Sequence, residues 1–327
     1  MSNYPNVRLR RWRRSPGLRN LLDMPVPPAS CFLWPVFVVP GTNVCDPIAA
    51  MPGQSRVSAD RLCDMIEPVA AMGVGGVLLF GLVEDVRKDA EGSGAWDPAG
   101  AVQRAVVEIK AHFPDLVVVT DVCLCAYTAH GHCGCLGDHG EILNDPTLPL
   151  LQRTALSHAA AGADLVAPSA MMDGQVLAIR QALDQEGFQQ TGILSYSTKF
   201  ASAMYSPFRD AERSAPQSGD RCTYQSSYRN AGLARRESAM DEAEGADMLM
   251  VKPALFYLDL LRDLRVRTDL PLAAYNVSGE YAMLVATADR GWGDLAAMAR
   301  ESLCAIRRAG ADVLISYWAN RYREIFP

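Results

Sequence analysis

Short apolar runs rich in Val, Ile, Leu and Phe recur along the chain, at 32–39, 76–80, 116–122, 164–167, 192–196, 247–251, 272–275 and 312–317. Their length and β-branched content predict buried strands. Between them lie stretches with apolar residues at three- and four-residue steps, at 58–72, 99–112, 148–161, 172–186, 233–244, 255–267 and 295–309. In the first, Leu62, Met65, Ile66, Val69 and Ala70 fall on one helical face. Gly-Ala-Asp stands just before three of the runs, at 162–164, 245–247 and 310–312, where a helix-to-strand turn needs glycine. Eight strands alternating with helices, each strand apolar along its length, predict a parallel sheet closed into a (β/α)8 TIM barrel. An open doubly wound sheet is the alternative built from the same units.

Residues 1–30 precede this pattern without strong periodicity and are expected to form an extended arm that reaches another subunit, leaving 31–327 as one catalytic barrel. A long polar stretch at 205–228, rich in Ser, Arg and Gly, is expected to be a lid or binding loop.

Composition narrows the classes. The 327 residues are 49% hydrophobic, enough for one large core. A formal charge of -6 and a pI near 5.4 argue against nucleic-acid binding, which demands a basic face. No apolar run approaches the ~20 residues of a membrane span, so no membrane is expected. Arg8, Arg10, Arg11, Arg13 and Arg14 could imitate a transit peptide, but Ser is scarce there and two prolines interrupt, so a basic arm is the reading. Nine cysteines, an odd number with several crowded together, point to reduced thiols and a cytoplasmic location. Asn276-Val277-Ser278 fits a glycosylation pattern and carries no weight in that compartment.

A barrel places its reactive groups at the carboxyl ends of strands. Asp121, Cys123 and Cys125 close the third run, Ser169 follows the fourth, Lys199 follows the fifth, Lys252 ends the sixth, Tyr275 and Ser278 close the seventh, and Tyr317 ends the eighth. Cys123, Cys125 and Cys133 are spaced C-x-C-x7-C. Three thiolates can hold zinc and leave one position open, as a catalytic site requires. Buried free thiols are the bland reading of the same residues, and Cys135, His130 and His132 remain candidates for a fourth ligand.

Lys252 is a cation at the end of the apolar run Met248-Leu249-Met250-Val251. To be half neutral near pH 7 its pKa must fall by roughly 3.4, about 4.6 kcal/mol. Desolvation and a neighbouring cation, Lys199 on the adjacent strand, can supply this and prepare both amines for Schiff-base chemistry. Arg209 and Arg221, in the polar stretch, suit a carboxylate clamp, although loop arginines are often only solvated.

Taken together these motifs resemble the porphobilinogen synthase (5-aminolevulinate dehydratase) family, zinc-dependent type. The resemblance rests on the cysteine-rich segment 121–134, Ser195-Tyr196-Ser197-Thr198-Lys199-Phe200-Ala201-Ser202-Ala203, the segment 205–211, Met250-Val251-Lys252-Pro253, Val277-Ser278-Gly279-Glu280-Tyr281-Ala282-Met283 and Asp89-Ala90-Glu91-Gly92-Ser93. It implies condensation of two 5-aminolevulinate molecules to porphobilinogen with loss of two waters, in tetrapyrrole biosynthesis. It implies Lys252 as the Schiff-base lysine of the propionyl-side substrate and Lys199 as the lysine of the acetyl-side substrate. Zinc would sit on Cys123, Cys125 and Cys133, with Asp121 and Ser169 beside it. Ser278 and Tyr317 would bind one substrate carboxylate, and Arg209, Arg221 and Gln225 the other. The resemblance also implies a homo-octamer with subunit-wrapping arms, and an allosteric magnesium near Glu237 and Asp173.

Two positions depart from the family pattern: Cys222, where a basic residue is expected, and Trp292 within 285–294. Two rivals stand beside this reading. A one-lysine aldolase on the same barrel leaves the three cysteines unexplained, and a non-catalytic barrel makes the zinc structural.

Overall fold

The computed structural model describes residues 4–327. Eight parallel strands close on themselves: β1 Phe32–Val39, β2 Gly76–Gly81, β3 Val117–Val122, β4 Leu165–Pro168, β5 Gly192–Lys199, β6 Met248–Lys252, β7 Leu272–Asn276 and β8 Val313–Ser316. Each strand pairs with the next, and β8 returns to β1 through Phe32↔Leu314 and Leu33↔Ile315. The open doubly wound alternative is thereby excluded. Around the barrel run α1 Ala59–Ala71, α2 Ala101–His112, α3 Asn144–Ala161, α4 Gln175–Gln185, α5 Ser206–Glu212, α6 Ala231–Ala243, α7 Leu258–Arg265, α8 Ser278–Asp289 and α9 Leu295–Ala309.

The Gly-Ala-Asp turns have a physical account. Gly162, Gly245 and Gly310 take φ of 104°, 102° and 129°, which a side chain would oppose. The aspartate two residues later accepts a backbone N–H at the start of a neighbouring strand: Asp164 from Val118 (2.7 Å), Asp247 from Ile193 (2.7 Å) and Asp312 from Leu272 (3.0 Å). Lys110 and Arg265 then neutralise Asp164 and Asp312. Each motif therefore ends a helix and satisfies an orphan donor at the barrel's lower rim.

The helix α8 was not among the predicted helices, because it starts within two residues of β7 and its apolar residues do not gather on one face. Trp292 lies exposed in the turn after it, so that departure leaves the core untouched. The stretch 205–228 is only partly a loop: Ala203–Tyr205 and α5 form a short helical lid before an irregular segment. Before β1, the short helices Leu9–Arg13 and Pro16–Leu22 bury no residue, and Val7, Leu9, Trp12, Leu21, Leu22 and Met24 are exposed. The first three residues of the expected arm lie outside the described ones.

Candidate active site

The two lysines stand side by side. Lys252 and Lys199 are register partners at the ends of β6 and β5. Tyr196 and Lys199 are three residues apart and would alternate to opposite faces of a regular strand. The pairing slips by one residue here, Leu249 facing Ser195 but Val251 facing Thr198. This bulge turns both side chains inward, and Lys199 Nζ comes 5.4 Å from the Tyr196 ring centre. The structure thus makes Lys199 the last residue of its strand rather than one that follows it.

Lys252 is enclosed by rings. Its Nζ lies 4.3 Å from the ring centre of Tyr275, 4.9 Å from Tyr196 and Phe208, 5.5 Å from Tyr205 and 5.8 Å from Phe80. Exclusion of water, joined by the charge of Lys199, pulls its amine down to about 7, against the opposing pull of Asp121, Glu212 and Cys125. Lys199 Nζ donates to the carbonyl of Ser169 at 2.5 Å. Asp121 is half-buried with its Oδ1 enclosed, beside both lysines; desolvation raises its carboxyl above the ordinary range while the two ammonium charges oppose the rise.

Cys123, Cys125 and Cys133 converge just past β3, all buried, with every sulphur within 4.8 Å of the others and Cys123 Sγ 3.3 Å from Cys125 Sγ. Their mutual hydrogen bonds hold Cys133 well below the usual thiol range and push Cys125 above it, the pattern of one thiolate shared among three thiols. A buried cluster of three convergent thiols fits a soft divalent cation. The other candidate ligands do not join it. His132 uses Nδ1 toward Tyr224 (3.1 Å) and Nε2 toward Ser218 (2.9 Å), His130 faces Ala90, and Cys135 turns toward Pro146.

The expected carboxylate contacts fall into two groups. In the first, Arg209 Nε, Arg221 Nε and Gln225 Nε2 are buried without a partner, as befits donors awaiting an anion, and Gln225 Oε1 is buried and unpartnered beside them. Arg221 is anchored through Nη2 to Gly131 (3.1 Å) and Ser214 (2.6 Å). In the second, Tyr317 bonds Tyr275 hydroxyl to hydroxyl at 3.1 Å, while Ser278 is occupied by the lid, accepting from Phe208 N (3.0 Å) and donating to Met204 O (3.4 Å). Glu237 and Asp173 are separate from the reaction chamber. Glu237 accepts from Ser226 (2.6 Å), and burial, with Asp173 adding to it, raises its carboxyl. Cys222 is exposed and does not line the chamber.

The lid is down. Arg56 holds it through the carbonyls of Ala211 (2.7 Å) and Asp210 (3.0 Å), and Tyr205 donates to the Lys252 carbonyl (3.0 Å). The cavity bounded by Lys199, Lys252, Asp121, Arg209 and Arg221 measures about 20 Å³, no more than a water needs, so nothing larger fits with α5 in this position. A far larger hollow lies on the outer wall, but the convergent chemistry marks the small one as the reaction chamber.

Sequence reading missed two features of this chamber. Glu212, at the end of α5, is buried; its Oε2 accepts from Ser214 (2.6 Å) and lies 3.5 Å from Cys125 Sγ, and burial beside Asp121 lifts it to about 7. Its stretch is expected to be a lid or binding loop, but nothing in the sequence singles out this carboxylate. The ring enclosure of Lys252 was the other, since its members come from four strands or lid segments far apart in sequence.

A family model described as Delta-aminolevulinic acid dehydratase matches residues 6–325. The chain belongs to the delta-aminolevulinic acid dehydratase family. The dehydratase of Synechococcus elongatus is 48% identical over 320 residues, covering 97% of this chain and 98% of its own. That of Methanothermobacter thermautotrophicus is 51% identical over 318 residues, covering 97% of this chain and 96% of its own. Among solved structures, the Toxoplasma gondii dehydratase in complex with porphobilinogen superposes with a TM-score of 0.94 at 42% identity, covering 96% of this chain and 90% of that one.

Proposed function

We propose that this chain is a porphobilinogen synthase that condenses two molecules of 5-aminolevulinate, losing two waters, through imines on Lys252 and Lys199. The observation that carries this reading is Lys252, an amine brought to about 7 in a closed ring enclosure beside a second lysine. A neutral amine adds to a ketone, expels water and becomes an imine; the imine nitrogen then draws electrons and acidifies the adjoining carbon. Lys199 does the same for the second substrate, and Asp121 takes up or returns a proton between them. Arg209, Arg221 and Gln225 anchor one substrate carboxylate, and Ser278 and Tyr317 the other once the lid releases Ser278. Ser169 orients Lys199. Enclosure by the lid keeps water from hydrolysing the imines.

Cys123, Cys125 and Cys133 would hold zinc, which supplies Lewis-acid polarisation at the second substrate when bound. Magnesium near Glu237 and Asp173 is proposed as an allosteric ion of the hydrated, oxygen-bound kind. The apolar residues left exposed on 1–30 support an arm that wraps a neighbouring subunit of the barrel 31–327, within a homo-octamer. All nine cysteines are unbridged, and no helix among the described residues is long and apolar enough to cross a membrane, which supports a cytoplasmic location.

The test is porphobilinogen formation from 5-aminolevulinate before and after zinc chelation. Activity that disappears on chelation and returns with zinc is expected. No product with zinc restored would refute the assignment and favour the one-lysine aldolase or the non-catalytic barrel.

A further inference from the structure

A hollow of about 780 Å³ lies on the outer wall between α1 and α2, where the reaction has no use for it. Three metal-ligating side chains line it: Cys63 from α1, and Glu108 and His112 from α2. Glu108 and His112 are four residues apart and so share a face, and the packing of the helices sets Cys63 opposite them. A sulphur, a carboxylate oxygen and a ring nitrogen from these residues all lie within 4.8 Å of one another.

The surroundings favour a cation. His112 is the last residue of α2, where unpaired carbonyls concentrate negative potential. Asp60 and Asp64 line the same hollow; the basic groups near it are Arg104 and Arg61, the latter 3.7 Å from Asp64. His112 Nδ1 lies 2.9 Å from the Glu108 carbonyl, to which it can only donate, and 3.9 Å from the Glu108 carboxylate, so the ring lone pair is on Nε2 and the ring must turn to offer it beside that carboxylate. Burial, with Glu108 and Asp64 adding their charge, keeps the Cys63 thiol protonated, and a divalent ion would reverse that balance.

We infer that Cys63, Glu108 and His112 form a second divalent-metal site, separate from the three buried cysteines and open to solvent on one side. Sulphur with imidazole and one carboxylate selects a zinc-class ion over magnesium or calcium. Binding displaces the thiol proton to water and leaves the remaining coordination to solvent or a small anion.

The test uses the full chain, stripped by chelator and given three equivalents of zinc chloride. Alkylation of Cys63 by iodoacetamide, read by peptide mass mapping, should slow about tenfold or more with zinc, while the exposed Cys45 and Cys222 react at unchanged rates. Glu108→Gln and His112→Ala should each remove the protection. Cys63→Ser should bind one zinc fewer per chain, with 5-aminolevulinate turnover unchanged. Cys63 alkylation indifferent to zinc, or the same zinc content in wild type and Cys63→Ser, would overturn the inference. Neither result touches Cys123, Cys125 and Cys133, so failure here is distinguishable from failure of the proposed reaction.

Discussion

Phe208→Ala on the lid separates two opposing effects on Lys252. The ring of Phe208 lies 4.9 Å from Nζ, and its π face attracts the ammonium form by an amount on the order of 0.5–2 kcal/mol. The same ring helps keep water from the amine, which disfavours that form. Lys252 sits at about 7, far below its ordinary 10.5, so water exclusion together with the charge of Lys199 favours the neutral amine by roughly 5 kcal/mol, and water exclusion is the larger of the two. Five rings share this enclosure, and removal of one should return at most about a fifth of the effect. The midpoint should then rise by up to about 0.7, cutting the neutral fraction at pH 6 by up to about fivefold. The assay is the rate of imine trapping at Lys252 by borohydride with 5-aminolevulinate, measured from pH 5.5 to 9. Trapping should increase with pH because deprotonation creates the nucleophile. The wild-type midpoint should fall near 7, and that of Phe208→Ala above it. The position of the curve is read rather than its height, so weaker substrate binding does not confuse the result. A lowered midpoint in Phe208→Ala would show the π attraction to dominate, and a wild-type midpoint near 10 would refute the desolvation argument.

Glu212→Gln should move the same midpoint down, because the carboxylate favours the Lys252 ammonium; an unchanged or raised midpoint would contradict its placement. Arg221→Lys removes both the Nη2 that bonds Gly131 and Ser214 and the unpartnered Nε, leaving one ammonium for the two tasks, so KM should rise by on the order of 10- to 100-fold with a smaller change in kcat. An unaltered KM would remove Arg221 from the carboxylate site. At Gly279 an added Cβ would lie 2.5 Å from the Met204 carbonyl oxygen and 2.8 Å from its Cα, so Gly279→Ala should displace the lid. Thermal unfolding should report a loss of about 1–3 kcal/mol, and protease cleavage within 203–228 should accelerate. Wild-type resistance would show that the lid tolerates the shift.

The barrel was legible because its strands are buried on both sides and read as short continuous apolar runs, and because Gly-Ala-Asp marks three of the returns. The lysines were legible for a related reason: a charge ending an apolar strand has few uses. Features depending on contacts between distant segments were not visible. The bulge that turns Lys199 inward is a slip between two strands, and a single strand sequence does not display it. Phe208 and Glu212 sit in a stretch expected to be a lid or binding loop, but its Ser, Arg and Gly do not show which residues face inward; both are drawn inward when Arg56 and Ser278 pin the lid. The three cysteines could not be distinguished from Cys135, His130 and His132 until the chain's course showed where each donor is spent.

The most direct measurement of the two-lysine reaction is peptide mapping by mass spectrometry after borohydride reduction of the zinc-loaded protein in the presence of 5-aminolevulinate. The expected result is a reduced substrate adduct on Lys252, with a second on Lys199 as substrate saturates, and loss of porphobilinogen formation in proportion to the adducts. Full inactivation with the adduct on another residue, or undiminished turnover with Lys252 fully modified, would contradict it.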